Sequence, residues 1–141
     1  MAEINGIAHI QLCVSNMARS IAFYEPLLKT MGLVPVIDDK DNYYYCVGGR
    51  TGVAITPVHR EHSDSEFKQG AVGLHHVCFR ARSAADVDEI YGVAAGLGAV
   101  TIREPEEGAY APGYYSTLFE DPDGIRIEVN FVPGKGLLED R

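Results

Sequence analysis

The stretch FEDPDGIRIEV, residues 119–129, decides how the rest of the chain can fold. Its DPDG tetrapeptide predicts a tight turn, because Pro122 presets φ, the aspartates bond nearby backbone and Gly124 tolerates a positive φ. Beyond the turn, apolar and polar residues alternate strictly: Ile125, Arg126, Ile127, Glu128, Val129 and Asn130. This alternation predicts a strand with one apolar and one polar face, and Glu128 is a charge on the polar face that needs an explanation.

Composition narrows the class of protein. A chain of 141 residues with 46% hydrophobic residues can bury the core of one domain. No apolar run has the length of a membrane span and no leader pattern opens the chain, so we expect a cytoplasmic protein without membrane contacts. The net charge of −8 argues against a nucleic-acid partner. Three cysteines without CxxC spacing indicate free thiols in a reducing compartment.

Two similar successions of elements follow one another along the chain. Residues 7–14 alternate as a strand, Ser15 or Asn16 opens an amphipathic helix, and strands are predicted near 33–38, 42–48 and 52–58. After a polar stretch, residues 74–81 predict another strand, and Ser83 and Asp86 resemble a capping box at the start of a second helix. Strands near 99–104, 113–120 and 125–132 follow.

The chain is therefore predicted to be an α+β protein that repeats a βαβββ module. We expect one domain, 1–141, composed of a module 1–58, a linker 59–73, a module 74–132 and a tail 133–141. The two modules should form a cupped mixed β-sheet with the helices on its outer face. Superposing the repeats through His9 and His76 places Thr56 opposite Glu128, with an insertion at 105–112 in the second module.

One face of the predicted strands is polar, and polar groups that face a dry core cost several kcal/mol unless they are paired. We therefore expect this face to line a site. Its members are His9, Gln11, Cys13, Thr56, His76, Cys78, Arg80, Arg126, Glu128 and Asn130. Two imidazoles and a carboxylate, from His9, His76 and Glu128, suit one divalent ion of Fe, Mn, Zn, Ni or Co and leave positions open for substrate.

The whole chain resembles the vicinal oxygen chelate (VOC) superfamily of glyoxalases, bleomycin resistance proteins and dioxygenases. The resemblance rests on AHIQLCV at 8–14, IAFY at 21–24, LHHV at 74–77 and DPDGIRIE at 121–128. It implies a metal held by His9, His76 and Glu128, with Glu128 as a catalytic residue. It also implies a homodimer and an enzyme, a lyase or isomerase, a transferase or a dioxygenase, that acts on a small oxygenated molecule able to chelate the ion.

Departures from the family pattern bear on the reaction. Glyoxalase I has a carboxylate at the end of its first module that serves as ligand and base, and Thr56 is a poor substitute. Extradiol dioxygenases resemble this chain less, because Leu118 replaces their tyrosine. For substrate binding we expect Gln11, Thr56, Tyr115 and Arg126. The alternative function is a metal-free binding protein that sequesters a drug, as bleomycin resistance proteins do.

Overall fold

A computed structural model describes residues 1–136 and divides the chain into two compact units. The first unit spans Met1–Ser65, and the second begins at Glu66. The division lies inside the stretch 59–73 that the sequence indicates as a linker. Within the described residues, each unit contains one α-helix and one four-stranded mixed sheet. The predicted α+β fold of repeated βαβββ modules is therefore confirmed.

In the first unit, the strands are β1 (His9–Val14), β2 (Val34–Asp39), β3 (Tyr43–Gly48) and β4 (Thr51–Pro57), and helix α1 is Met17–Thr30. The sheet order is β1-β4-β3-β2, with β1 parallel to β4 and the other neighbours antiparallel. A short 3-10 helix, Arg60–His62, follows β4.

Helix α1 forms because its ends are capped and one face is apolar. Asn16 accepts a hydrogen bond from the backbone N–H of Arg19 at 2.9 Å. Gly32, with φ of +81°, allows the chain to leave the helix in the left-handed region. The apolar face is buried through Ile21, Phe23, Tyr24, Leu27 and Leu28.

In the second unit, the strands are β5 (Val77–Arg80), β6 (Val100–Glu107), β7 (Tyr115–Glu120) and β8 (Arg126–Phe131), and helix α2 is Ala84–Gly96. The order β5-β8-β7-β6 repeats that of the first unit, with β5 parallel to β8. Helix α2 opens on the predicted capping box. Ser83 Oγ accepts from the N–H of Asp86 at 3.1 Å and donates to its carboxylate at 2.8 Å.

The apolar face of β8 is buried, with Ile127 and Val129 at most 1% exposed. Helix α2 contributes Val87, Ile90 and Ala94 to the core of the same unit. The opposite face of β8 carries Arg126, Glu128 and Asn130, as the alternation predicts. Within residues 1–136, no helix combines the length and the apolar character needed to cross a membrane.

Candidate metal and substrate site

The turn before β8 fixes where Glu128 lies. Asp121 Oδ1 accepts hydrogen bonds from the N–H groups of Asp123 and Ile125, both at 2.8 Å. Gly124 has φ of +81°, and its N–H donates to the Asp121 carbonyl at 3.0 Å. These bonds close the turn and start β8 in a single register, in which Glu128 lies opposite Leu118 of β7.

Glu128 is a largely buried carboxylate, since only 12% of its side chain is exposed. Its Oε2 lies 3.2 Å from His76 Nε2. Its Oε1 accepts a short hydrogen bond from the Tyr114 hydroxyl and lies 3.6 Å from Arg103 Nη2. The structure thus brings two predicted ligands, His76 and Glu128, into direct contact and surrounds the carboxylate with donors.

Tyr114 is buried beside Glu128 and is held there by Asn130. The Asn130 amide donates to the Tyr114 hydroxyl at 3.2 Å. Burial raises the pKa of Tyr114, and the hydrogen bond to Glu128 raises it further, because the phenolate would lie against a carboxylate. Tyr114 therefore stays a protonated hydrogen-bond donor at neutral pH.

His76 is oriented by its neighbour in sequence. Its Nδ1 lies 2.7 Å from His75 Nδ1, and Gln69 Nε2 approaches the ring nitrogens of His75 at 3.0 and 3.3 Å. A hydrogen bond at one imidazole nitrogen fixes which way the other nitrogen points. Here it leaves His76 Nε2 directed at Glu128.

Arg103 is a member of this cluster that sequence reasoning missed. Its Nη2 donates to Ser116 Oγ at 2.7 Å and lies 3.6 Å from Glu128 Oε1. Its Nε lies 3.6 Å from Glu106. Arg103 thus places a positive charge beside the buried carboxylate.

A β-bulge in β6 explains why the alternation does not reveal Arg103. Thr101 lies opposite Phe119, which is on the helix side, but Arg103 lies opposite Leu118, which is on the Glu128 side. One extra residue in β6 has switched the face. A strictly alternating β6 would place Arg103 with Thr101, away from Glu128.

Tyr115 does not lie on the polar face. Its hydroxyl donates to Asp88 on helix α2 at 2.8 Å, and this bond raises the pKa of Tyr115. The prediction that Tyr115 is the inward member of its pair is therefore wrong, and Tyr114 takes that place. The physical reason is the alternation of β7: Tyr115 lies on the same side as Phe119, opposite the apolar face of β8, so the preceding residue falls on the side of Glu128.

Gln11 and Arg126, which the sequence predicts to bind substrate, differ in their surroundings. Gln11 is exposed on β1. Arg126 shares the face of Glu128, and its Nε lies 3.1 Å from Glu120 Oε1 across the β7–β8 pair. A cross-strand ion pair of this kind occupies Arg126, so an anionic ligand would have to compete with Glu120.

His9 lies in the first unit, on the exposed side of β1. Its ring meets the ring of Tyr45 edge-on, with 6.2 Å between the centroids. Tyr45 in turn packs over Gly52, the register partner of His9, so closely that a Cβ at Gly52 would lie 2.6 Å from a ring carbon. Glycine at this position therefore lets the Tyr45 ring pack over β4 next to His9.

The registers of the two sheets correct the predicted match of Thr56 with Glu128. Gln11 lies opposite Ala54 in the first unit. Cys78 follows His76 by two residues, just as Gln11 follows His9. Cys78 lies opposite Glu128. Ala54 is therefore the counterpart of Glu128, and the predicted match of Thr56 with Glu128 is wrong.

The error arose because a shift of two residues keeps every side chain on its face. In the structure, Thr56 Oγ1 donates to the Leu12 carbonyl at 3.4 Å and lies 3.7 Å from Cys13 Sγ. Ala54 is fully buried and has neither a donor nor an acceptor in its side chain. The first unit thus lacks any counterpart of the Glu128 carboxylate.

The chemistry of His76 and Glu128 fits a divalent ion. Two neighbouring ligands of one octahedral ion, each about 2.1 Å from it, lie about 3.0 Å apart. The 3.2 Å between His76 Nε2 and Glu128 Oε2 is close to that separation. No group of three or more His, Cys, Asp or Glu side chains is arranged as a metal cluster within residues 1–136. This pair therefore offers two donor atoms with a spacing that a divalent ion could bridge.

Comparison with known proteins identifies the family. The model of the Glyoxalase/Bleomycin resistance protein/Dioxygenase superfamily matches residues 6–129, so the chain belongs to this superfamily. The sequence is 28% identical over 129 residues to the uncharacterized protein YqjT of Bacillus subtilis, covering 86% of this chain and 94% of YqjT. It is 26% identical over 127 residues to the metallothiol transferase FosB of Shouchella clausii, covering 90% of this chain and 80% of FosB.

Solved structures agree with this assignment. A candidate glyoxalase from Bacillus halodurans has a TM-score of 0.79 at 24% identity, covering 91% of this chain and 96% of its own. Lactoylglutathione lyase from Agrobacterium tumefaciens has a TM-score of 0.66 at 23% identity, covering 92% and 96%. At this level of identity the two structures establish the fold alone.

Proposed function

We propose that the protein is a cytoplasmic, homodimeric, divalent-metal-dependent enzyme. Its proposed metal ligands are His9, His76 and Glu128. Its substrate is a small molecule that chelates the ion through oxygen. The observation that supports this proposal best is the contact between His76 Nε2 and Glu128 Oε2, on a carboxylate that is only 12% exposed. When bound, such an ion stabilises negative charge that develops on a substrate oxygen.

The residues around the ion define which reactions are favoured. Glu128 is held by Tyr114 and Arg103, and His76 is held by His75, so both donors keep a fixed direction. Ala54 offers no base in the first unit. A lyase or isomerase that moves a proton through a second carboxylate is therefore disfavoured, and transferase and oxygenase chemistry remain. The similarity to the metallothiol transferase FosB supports the transferase.

Metal content tests the proposal. We expect one equivalent of a divalent metal per chain after purification or reconstitution, measured by elemental analysis. His76→Ala and Glu128→Ala should each lose most of it, because each removes one of few donors. His62→Ala is the matched control, since His62 is an exposed histidine whose ring lies 3.5 Å from Glu61. This variant should bind metal as the wild type does.

Absence of stoichiometric metal in the wild type, before and after reconstitution, would contradict the proposal. The metal-free drug-binding alternative would then become the leading function. Loss of metal from His62→Ala as well would show that the binding is nonspecific. With the metal identified, oxygen uptake and thiol consumption across a panel of small oxygenated substrates distinguish an oxygenase from a transferase.

A further inference from the structure

The two oxygens of Glu128 have different partners. Oε2 faces His76 Nε2, whereas Oε1 accepts the hydrogen bond from Tyr114. Arg103 approaches Oε1 as well, at 3.6 Å. A carboxylate with one oxygen engaged in this way cannot rotate freely, and its second oxygen keeps one direction.

The direction of the Tyr114 proton follows from its partners. A tyrosine hydroxyl has one proton to donate, and an amide nitrogen is only a donor. Since Asn130 Nδ2 donates to the Tyr114 oxygen, the proton of Tyr114 is directed to Glu128. Asn130 and Tyr114 are 7% and 9% exposed, so water competes little for these bonds.

The loop at 108–114 exists in the second unit alone and delivers Tyr114. Gly108 N–H donates to the Tyr114 carbonyl at 2.9 Å, and Tyr114 N–H donates to the Ala111 carbonyl at 3.0 Å. Gly113 has φ of +70°, and a Cβ there would lie 2.7 Å from the ring of Pro133. The backbone before Tyr114 is thus fixed by bonds and by close packing.

The first unit supplies an internal comparison. Its strands β2 and β3 are joined by residues 40–42 alone, in a turn held by Asp39 and Asn42. Its counterpart of Glu128 is Ala54. The unit that lacks the carboxylate therefore also lacks the longer loop that brings a tyrosine to it.

We propose that Tyr114 is a positioning residue that, oriented by Asn130, holds the Glu128 carboxylate so that Oε2 is presented to a divalent ion beside His76. This inference rests on the proposed function. The loop at 108–114 would then influence metal affinity through Tyr114. Removal of a group that holds a metal ligand in place, without itself touching the metal, commonly weakens metal affinity by about 10–100-fold.

Cobalt binding by Tyr114→Phe tests the assignment, because Co²⁺ reports both affinity and coordination through its visible absorption. The metal-free full-length protein is titrated with Co²⁺ by calorimetry and by absorption. Tyr114→Phe should raise the Kd roughly 10–100-fold and alter the visible bands. Tyr115→Phe is the matched control: it removes a hydroxyl from the adjacent tyrosine, which bonds Asp88 on helix α2, and should leave the Kd within about twofold.

Outcomes separate this assignment from the proposed function. Tight binding by wild type and equal binding by Tyr114→Phe would overturn the role of Tyr114 and leave the metal site intact. No binding by wild type would overturn both. A merely structural role would lower the unfolding midpoint of metal-free Tyr114→Phe without changing the Kd. If Tyr114→Phe does not fold, Asn130→Leu decides instead: it should weaken Co²⁺ binding, and an unchanged Kd would overturn the assignment.

Discussion

Gly48 shows how tightly single positions are specified in the first unit. A Cβ on Gly48 would collide with the carbonyl oxygen of Gly32 and lie 2.9 Å from Leu33 Cα. These are backbone atoms at the end of α1, so they cannot rotate away. We expect Gly48→Ala to lower the free energy of unfolding by about 1–3 kcal/mol, measured by urea denaturation.

Gly92→Ala is the matched control for Gly48→Ala. Gly92 lies within α2, and a Cβ there would meet nothing within 4 Å. Because alanine restricts the unfolded chain more than glycine does, this substitution should raise the free energy of unfolding by about 0.5–1 kcal/mol. An unchanged free energy of unfolding for Gly48→Ala would show that the contact of β3 with the residues after α1 is loose.

Individual residues were predictable where alternation decides their direction. His76 and Glu128 meet as the sequence indicates, because His76 directly precedes β5, which pairs with β8. Tyr115 was misplaced because the side of β7 that faces Glu128 depends on the register with β8, which puts Tyr115 on the side of Phe119. The metal-ligand role of His9 and the substrate-binding roles of Gln11 and Thr56 stay predictions.

At the scale of elements, periodicity and caps predicted all eight strands and both helices. The structure differs where the chain departs from regular repetition. The bulge in β6 turns Arg103 toward Glu128, and the loop at 108–114 delivers Tyr114. Neither feature has a period, so neither is visible as a pattern. The sequence did indicate an insertion near 105–112, but not that its end contacts the carboxylate.

The register between parallel strands is another feature that the sequence could not establish. β1 and β4 are joined by a long crossover, so no tight turn fixes their pairing. A shift by two residues preserves the pattern of buried and exposed positions. Only the observed pairing of Gln11 with Ala54 shows that the first unit has no carboxylate matching Glu128. That correction strengthens the case against a second carboxylate base.

At the scale of the whole molecule, the proposed homodimer is open to direct measurement. Strand β2 is an edge strand whose Val34, Val36 and Ile37 are 45–57% exposed. An exposed apolar edge strand is a surface on which another chain can pair. Sedimentation equilibrium over a range of concentrations should give twice the 15.4 kDa of one chain. A monomer mass at every concentration tested would contradict the homodimer.

Metal binding should also stabilise the whole protein, because a ligand that binds only the folded state raises its stability. At a metal concentration of 100 times the Kd this amounts to about 2.7 kcal/mol. For a chain of this size the melting temperature should rise by roughly 5–10 °C. Calorimetric scans with and without the metal measure the rise, which EDTA should reverse and which Glu128→Ala should abolish.

Metal binding also predicts which strands become protected from hydrogen exchange. The proposed ligands include His9 at the start of β1 and Glu128 within β8. Metal should therefore slow hydrogen exchange in both strands, measured by mass spectrometry of peptides covering residues 9–14 and 126–131. With His9 as a ligand, as proposed, His9→Ala should weaken the effect in β8 as well as in β1. Protection confined to β8, and unchanged by His9→Ala, would exclude His9 as a ligand and limit the metal site to the second unit.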